Sequence, residues 1–268
     1  MNHILYLLSL IMLFNFTVKA EGKIFLLFGK VENSSDDTII LSNHYGRYTA
    51  ITDQNGKYRF ELNIKDPDFL NFNIKNNNAT LFLLVGDTLE MNFDNNNFEK
   101  TVSFHGLRAK INSELLSVSM GKSAPGFSFK DINGKLINLN DFRGKYIYID
   151  VWNSSCGPCF KEFPFLEALI EKYKDKDIVF IGISLDNKEK TWLSTIQRKK
   201  LKGIQLFGNG WNSEFTRKYF VKFNPRFILI DKNQNILYLS APRPSGNIDE
   251  ILSKYEGLKI KILANAKH

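Results

Sequence analysis

The feature that most constrains the fold is a three-part pattern in the C-terminal half of the chain. A run apolar but for Asp150, Tyr146 to Trp152, is followed by Phe163, Leu166, Leu169, Ile170 and Tyr173 at helical spacing, and then by a second, largely apolar run, Ile178 to Leu185. Continuous apolar runs of this length suit strands covered on both faces, and strand, helix, strand in one sheet closes as a right-handed parallel crossover. Around this unit, Phe127 and Phe129 precede the turn Asn133-Gly134 and Leu136, Ile137 and Leu139 follow it, which predicts a hairpin. Helices are expected over Trp192 to Arg198 and Asn212 to Tyr219, with a short strand, Ile204 to Phe207, between them. Phe227 to Ile230 and Ile236 to Leu239 flank the turn Asp231 to Asn235 as a closing antiparallel hairpin. Asn247 with Glu250 three residues on reads as a capping box for a last helix, Ile248 to Tyr255. The expected class is α/β, a mixed sheet flanked by helices.

The first half obeys a different period. From Lys23 to about Phe104, short alternating segments are separated by turns: Tyr58, Phe60 and Leu62 after Asp53-Gln54-Asn55-Gly56, then Leu70, Phe72 and Ile74, then Leu89, Met91 and Phe93 after Gly86-Asp87. A small antiparallel all-β sandwich is expected. The Asn clusters at 76–78 and 95–97 suit loop tips. Residues 107–122 are mixed and polar, with a short helix expected around Ile111 to Leu116. The division read from these patterns is a signal peptide over 1–20, a β domain over 21–106, a linker over 107–122 and an α/β domain over 123–268.

The leader assignment rests on the apolar stretch Ile4 to Phe16, shorter than the roughly 20 residues that span a bilayer, followed by Val18-Lys19-Ala20 at the cleavage positions. Its n-region lacks Lys and Arg, so an uncleaved anchor is the alternative. The formal charge of +8 loses only Lys19 on cleavage. The basic cluster Arg198, Lys199, Lys200, Lys202 has no interleaved aromatic residues to stack bases, and reads as a solvated helix face with no nucleic-acid partner.

An exported protein usually spends cysteines on structural disulfides spread through the fold. This chain has two, Cys156 and Cys159, and a bridge between them closes too short a loop to constrain the unfolded chain much. A structural zinc site needs about four ligands. The only other candidates are His3, His44, His105 and His268, so no metal is expected. The pair falls where the first strand of the crossover passes into its helix, the edge at which such sheets usually carry chemistry. At a helix start, free N–H groups and the macrodipole favour a thiolate, which makes Cys156 the candidate nucleophile. Cys159, one turn deeper on the same face, is the candidate resolving thiol. Pro158 suits the first turn, and Gly157 allows a partner chain to come close.

Asp150-Val151-Trp152, Cys156-Gly157-Pro158-Cys159 and Glu162-Phe163-Pro164 together resemble the thioredoxin superfamily, specifically its exported TlpA/ResA-like branch. The likeness covers about residues 119–257. It includes Ala124-Pro125, Asp141 to Lys145, and Phe223-Asn224-Pro225. It implies a thioredoxin-like fold and a cis Asn224-Pro225 bond facing the cysteines, with Pro225 part of the site. Asp150 matches the buried acid beneath the thioredoxin active site, and Glu162 the acid typical of the TlpA/ResA branch. Either could accept the proton of Cys159, and the sequence does not choose between them; the plain readings are a strand-edge Asp and an exposed helical Glu. Ser155 stands where thioredoxins carry Trp, giving a smaller, more polar rim. Arg226 after Pro225 is bulkier than the small residue often found there, and is expected either at the surface or in recognition.

The resemblance further implies an exported or envelope-anchored thiol-disulfide oxidoreductase with no cofactor beyond the Cys156–Cys159 disulfide. Its expected partners are disulfide-containing envelope proteins and a membrane-embedded thiol reductant, with a second copy through the β domain as a further candidate. Reduction is the expected direction; an oxidase or isomerase uses the same chemistry in reverse. A thiol peroxidase is disfavoured by Asn153 where a Thr is typical, and a non-catalytic envelope binding module by the intact cysteine pair.

Overall fold

The computed structural model describes residues 24–258 except 44–45, 64–67, 85, 117, 119–120 and 256. The leader assigned to residues 1–20 lies outside the described residues.

The first half contains β1 (Phe25–Glu32), β2 (Thr38–Ser42), β3 (Arg47–Ile51), β4 (Lys57–Leu62), β5 (Asp68–Ile74), β6 (Asn77–Leu83), β7 (Thr88–Asp94), α1 (Phe98–Thr101), β8 (Ser103–Gly106) and α2 (Ala109–Leu116). The strands form two four-stranded sheets, ordered β4-β1-β7-β8 and β3-β2-β5-β6. Alternation does the sorting. On β4, Lys57, Arg59 and Glu61 are exposed while Tyr58, Phe60 and Leu62 join Leu27, Leu70, Phe72, Leu89 and Met91 in one apolar core. The pairing is not wholly antiparallel as expected, because β1 and β7 run parallel. The whole second sheet intervenes between them in the chain, so no hairpin dictates their relative direction.

The helix expected near 111–116 is α2, and it is firmly packed. Asn112 is fully buried, and its carboxamide accepts the N–H of Phe82 at 2.8 Å and donates to the carbonyl of Phe82 at 3.2 Å. A side-chain amide thus satisfies β6 where another strand would otherwise pair. Leu115 and Val118, with Phe69 and Phe82, enter the core of the second half.

That half contains β9 (Ser128–Asp131), β10 (Leu136–Asn138), a 3-10 turn (Leu139–Phe142), β11 (Tyr146–Trp152), α3 (Gly157–Lys172), β12 (Ile178–Ser184), α4 (Glu189–Lys199), β13 (Ile204–Phe207), α5 (Glu214–Lys218), β14 (Arg226–Ile230), β15 (Ile236–Tyr238) and α6 (Ile248–Leu252). Seven strands form one mixed sheet, ordered β10-β9-β13-β12-β11-β14-β15. β11, β12 and β13 are parallel, and β14 runs antiparallel to β11. Every residue of β11 is buried. Tyr148 packs with Leu166 and Leu169 of α3, and Trp152 meets Phe163 edge-on at 5.7 Å. Ile147, Ile149 and Val151 face the opposite core. Asp150, between Tyr148 and Trp152 in the alternation, therefore lies on the α3 side.

The capping box at Asn247 is absent: Asn247 caps α6 but makes no side-chain cap hydrogen bond. Its backbone (φ −93°, ψ 21°) is not in the extended region from which a cap side chain reaches back. The helix is held instead through Asp249, which accepts from Tyr173 Oη at 2.8 Å and pairs with Lys172 at 2.6 Å.

Candidate active site

Cys156 is the N-cap of α3, and Gly157 and Pro158 occupy its first two helical positions. The Cys159 N–H donates to Cys156 Sγ at 3.1 Å, and the two residues form a disulfide with Cα atoms 5.3 Å apart. Cys156 is 6% exposed and Cys159 1%, so an incoming sulfur meets Cys156 first. Trp152 and Trp192 pack against the pair from within. Above Gly157 the surface is open: apart from its two chain neighbours and the backbone of its own helix, no heavy atom lies within 4 Å of where a Cβ would stand.

The polar residues before Cys156 form a clamp. Asn153 accepts the Cys156 N–H through its carbonyl at 3.1 Å, and the N–H and hydroxyl of Ser155 through Oδ1 at 3.1 and 3.0 Å. Ser155 itself is exposed. Asp186, just past β12, accepts the Ser154 N–H and hydroxyl, the latter at 2.6 Å, and the Ser184 hydroxyl at 2.7 Å. Sequence reasoning missed Asp186; the available signal was a carboxylate directly after a buried parallel strand, at the edge where the cysteines emerge.

Both candidate acids are buried, at 2% for Asp150 and 5% for Glu162, so neither plain reading describes them. They differ in how they are satisfied. Glu162 Oε2 accepts the Ser245 N–H and Oε1 the Ser245 hydroxyl, each at 3.0 Å, and Arg243 lies 3.8 Å away. Asp150 Oδ1 is buried with no hydrogen-bond partner among the described residues. Burial, and then the charge of Glu162, push the Asp150 carboxyl well above the usual carboxylate range. Asp150 also lines a cavity of about 240 Å³ between α3 and the end of α4, walled by Phe163, Leu166, Leu201 and Gln205 with Lys199 and Lys202 at its rim. On the strands beside it, Asp150 pairs with Gly182 and Gly182 with Gln205. A Cβ at Gly182 would strike the Gln205 carboxamide, which therefore leans across the glycine.

The Asn224-Pro225 bond is cis; Pro225 is buried and Asn224 half-buried. Arg226 is not at the surface. It is 2% exposed, its Nε donates to the Leu239 carbonyl at 2.8 Å, and its guanidinium carbon stands 3.6 Å from the centre of the Phe69 ring. A charged residue beside the apolar run Phe227 to Ile230 reads as a boundary in sequence, and only the distant Phe69 reveals it as a buried stack.

A family model described as Redoxin matches residues 119–255. The thiol-disulfide oxidoreductase ResA of Bacillus thuringiensis subsp. konkukian is 30% identical over 138 residues, which is 51% of this chain and 79% of that protein. A proposed thiol-disulfide oxidoreductase from Bacteroides vulgatus, solved as a crystal structure, is 40% identical, covering 50% of this chain and 95% of its own at a TM-score of 0.48. The thioredoxin domain of a thiol-disulfide oxidoreductase from Bacteroides vulgatus is 30% identical over 46% of this chain and 89% of its own, at a TM-score of 0.44. The chain thus belongs to the Redoxin family, as a ResA-like thiol-disulfide oxidoreductase of the thioredoxin superfamily.

Proposed function

We propose that the protein reduces disulfides of exported or envelope proteins, with Cys156 as attacking thiolate, Cys159 as resolving thiol and Asp150 as the acceptor of the Cys159 proton. The observation that carries this reading is the ordering of the site: Cys156 is the less buried sulfur at the helix N-cap, Cys159 lies one turn deeper, and Asp150, whose Oδ1 has no hydrogen-bond partner among the described residues, sits beneath α3.

The Cys156 thiolate attacks one sulfur of the substrate disulfide. A Cys156–substrate S–S bond forms, the substrate S–S bond breaks, and the departing sulfur leaves as a thiolate that takes a proton from water. Asp150, ionised, takes the proton of Cys159. The Cys159 thiolate then attacks Cys156 Sγ, forming the Cys156–Cys159 disulfide and releasing the second substrate thiolate. The substrate gains two electrons and the protein loses two. Glu162, with both oxygens occupied by Ser245, is suited less to accepting that proton than to raising the affinity of Asp150 for it. The cavity beside Asp150, large enough to admit water, would give that proton a route out. Family resemblance supplies the remaining partner, a membrane-embedded thiol that reduces Cys156–Cys159 again, and supports an exported location.

A Cys159→Ser variant tests the reading. It should hold substrate on Cys156 as a stable mixed disulfide that mass spectrometry identifies, and failure to capture any exported cysteine protein would count against it. Equilibration of the Cys156/Cys159 couple with glutathione fixes the direction, since a strongly oxidising couple is incompatible with a reductase.

A further inference from the structure

The β domain brings no redox-active atom, yet one face of β5 reaches the supports of the redox site. Leu70, Phe72 and Ile74 point into the sandwich core. Phe69 and Asn71 point the other way, where a sandwich normally shows polar residues to solvent, and both are nevertheless buried, at 0% and 4% exposure. The second half of the chain covers them. Phe69 belongs to the core of the seven-stranded sheet, with its ring centre 5.9 Å from that of Phe223 and 3.6 Å from the Arg226 guanidinium carbon. Phe223 and Arg226 bracket Asn224-Pro225.

The same face holds the neighbouring segment. The Asn71 carboxamide donates to the Ser240 carbonyl at 3.4 Å, and Arg226 Nε donates to the adjoining Leu239 carbonyl at 2.8 Å. That segment continues to Arg243 and Ser245, the partners of Glu162. Burying a guanidinium is costly, and an aliphatic residue would fill the same slot of β14 without that cost. A planar cation over a flat ring, tied by Nε to a carbonyl, fixes orientation in a way that an aliphatic contact does not.

We propose that the β domain is a positioning element of the redox site, in which Phe69, stacked on Arg226 and packed on Phe223, sets the Asn224-Pro225 loop, which the pairing of Arg226 with Val151 brings to the end of β11 where Cys156 emerges, so that the loop can hold a polypeptide attacked there. The proposal rests on the reading of Cys156 as the attacking sulfur. It makes Phe69 and Arg226 positioning residues, which act through Pro225 and not on sulfur.

The test uses the full chain carrying Phe69→Ala or Phe69→Tyr. Reduced protein is reacted with insulin, a polypeptide disulfide, and with dithionitrobenzoate, a small disulfide that needs only the thiolate. Oxidised protein is reacted with reduced insulin B chain, so exchange is read in both directions. Wild-type exchange with the two polypeptides tests the underlying reading by itself; the difference between wild type and variant tests the role of Phe69. Phe69→Ala should slow both polypeptide reactions about tenfold or more, leave dithionitrobenzoate within about twofold, and leave the reduction potential unchanged. Phe69→Tyr, which keeps the flat face, should restore the rates. Equal slowing of all three reactions, or unchanged polypeptide rates in a less stable protein, would overturn the proposal. If Phe69→Ala does not fold, Phe69→Leu keeps most of the apolar volume without the ring and is judged by the same outcomes.

Discussion

The Glu162 carboxylate on α3 and the Asp150 carboxyl on β11 are buried on the same side of the sheet, and the charge of Glu162 adds to burial in keeping Asp150 protonated well above the usual carboxylate range. In the proposed mechanism, resolution of a mixed disulfide needs Asp150 ionised. Its rate should therefore rise with pH as Asp150 gives up its proton. Asp150→Asn should lower the rate by about a hundredfold and abolish that inflection. Glu162→Gln removes only the second cause of the shift, so the inflection should move to lower pH. Stopped-flow resolution of a mixed disulfide with a fluorescent thiol reads both, and an Asn variant that kept the parental profile would dismiss Asp150 as proton acceptor.

The same shift sets a stability dependence of defined sign. In the pH interval between the ordinary carboxylate range and the raised value of Asp150, the native state retains a proton that the unfolded chain has released. Stability should accordingly fall as pH rises through that interval. Asp150→Asn removes the liability, so the variant should be more stable than the parent at neutral and mildly alkaline pH, by about 1.4 kcal/mol for each unit of pKa difference, and lose the advantage in acid. Urea denaturation of the oxidised proteins at several pH values checks this, and a parallel pair of pH curves would refute it.

The elements of the α/β half were legible because their cause is local. Tyr146 to Trp152 and the 163–173 periodicity depend only on residues a few positions apart, and both stand where the pattern put them. What escaped the sequence depends on segments far away in the chain. The parallel β1/β7 pair is set by the path through a second sheet. Arg226 is buried because Phe69, well over a hundred residues earlier, lies against it. The capping box failed because a spacing of Asn and Glu does not fix the φ and ψ of the Asn. In the site, Cys156 and Cys159 announced themselves, whereas Asp186 and Ser245 have roles visible only once loops from separate strands meet.

Asp186 holds the loop that presents Cys156. Truncation to Ala would leave the Ser154 N–H and the hydroxyls of Ser154 and Ser184 without their acceptor in a largely buried place. Each buried group so stranded costs about 1–3 kcal/mol, though solvent entering the site recovers part of it. Asp186→Ala should therefore lose about 2 kcal/mol of stability and slow attack by Cys156, because the loop that fixes its sulfur loosens. Asp186→Asn keeps the shape and one acceptor oxygen, and should lose less. Denaturant melts with alkylation rates of Cys156 test the pair, and an Ala variant matching the parent in both would show the clamp to be idle.

In the oxidised protein Cys156 Sγ sits at the N-cap of α3, where the Cys159 N–H donates to it and the positive end of a 16-residue helix faces it, and reduction should leave it there. Both effects favour the thiolate, and neither reaches Cys159, which is one turn into the helix and almost wholly enclosed. The two thiols should differ in acidity and access together. Cys156 should titrate below the value of about 8.5 of a free cysteine, and iodoacetamide should label it first, with Cys159 labelled only at higher pH or after unfolding. Peptide mapping after brief alkylation across a pH series reads site and titration at once. Simultaneous labelling of both sulfurs, or a Cys156 curve at the free-cysteine position, would mean that the helix start does not activate the thiol and that the roles of attacker and resolver need another basis.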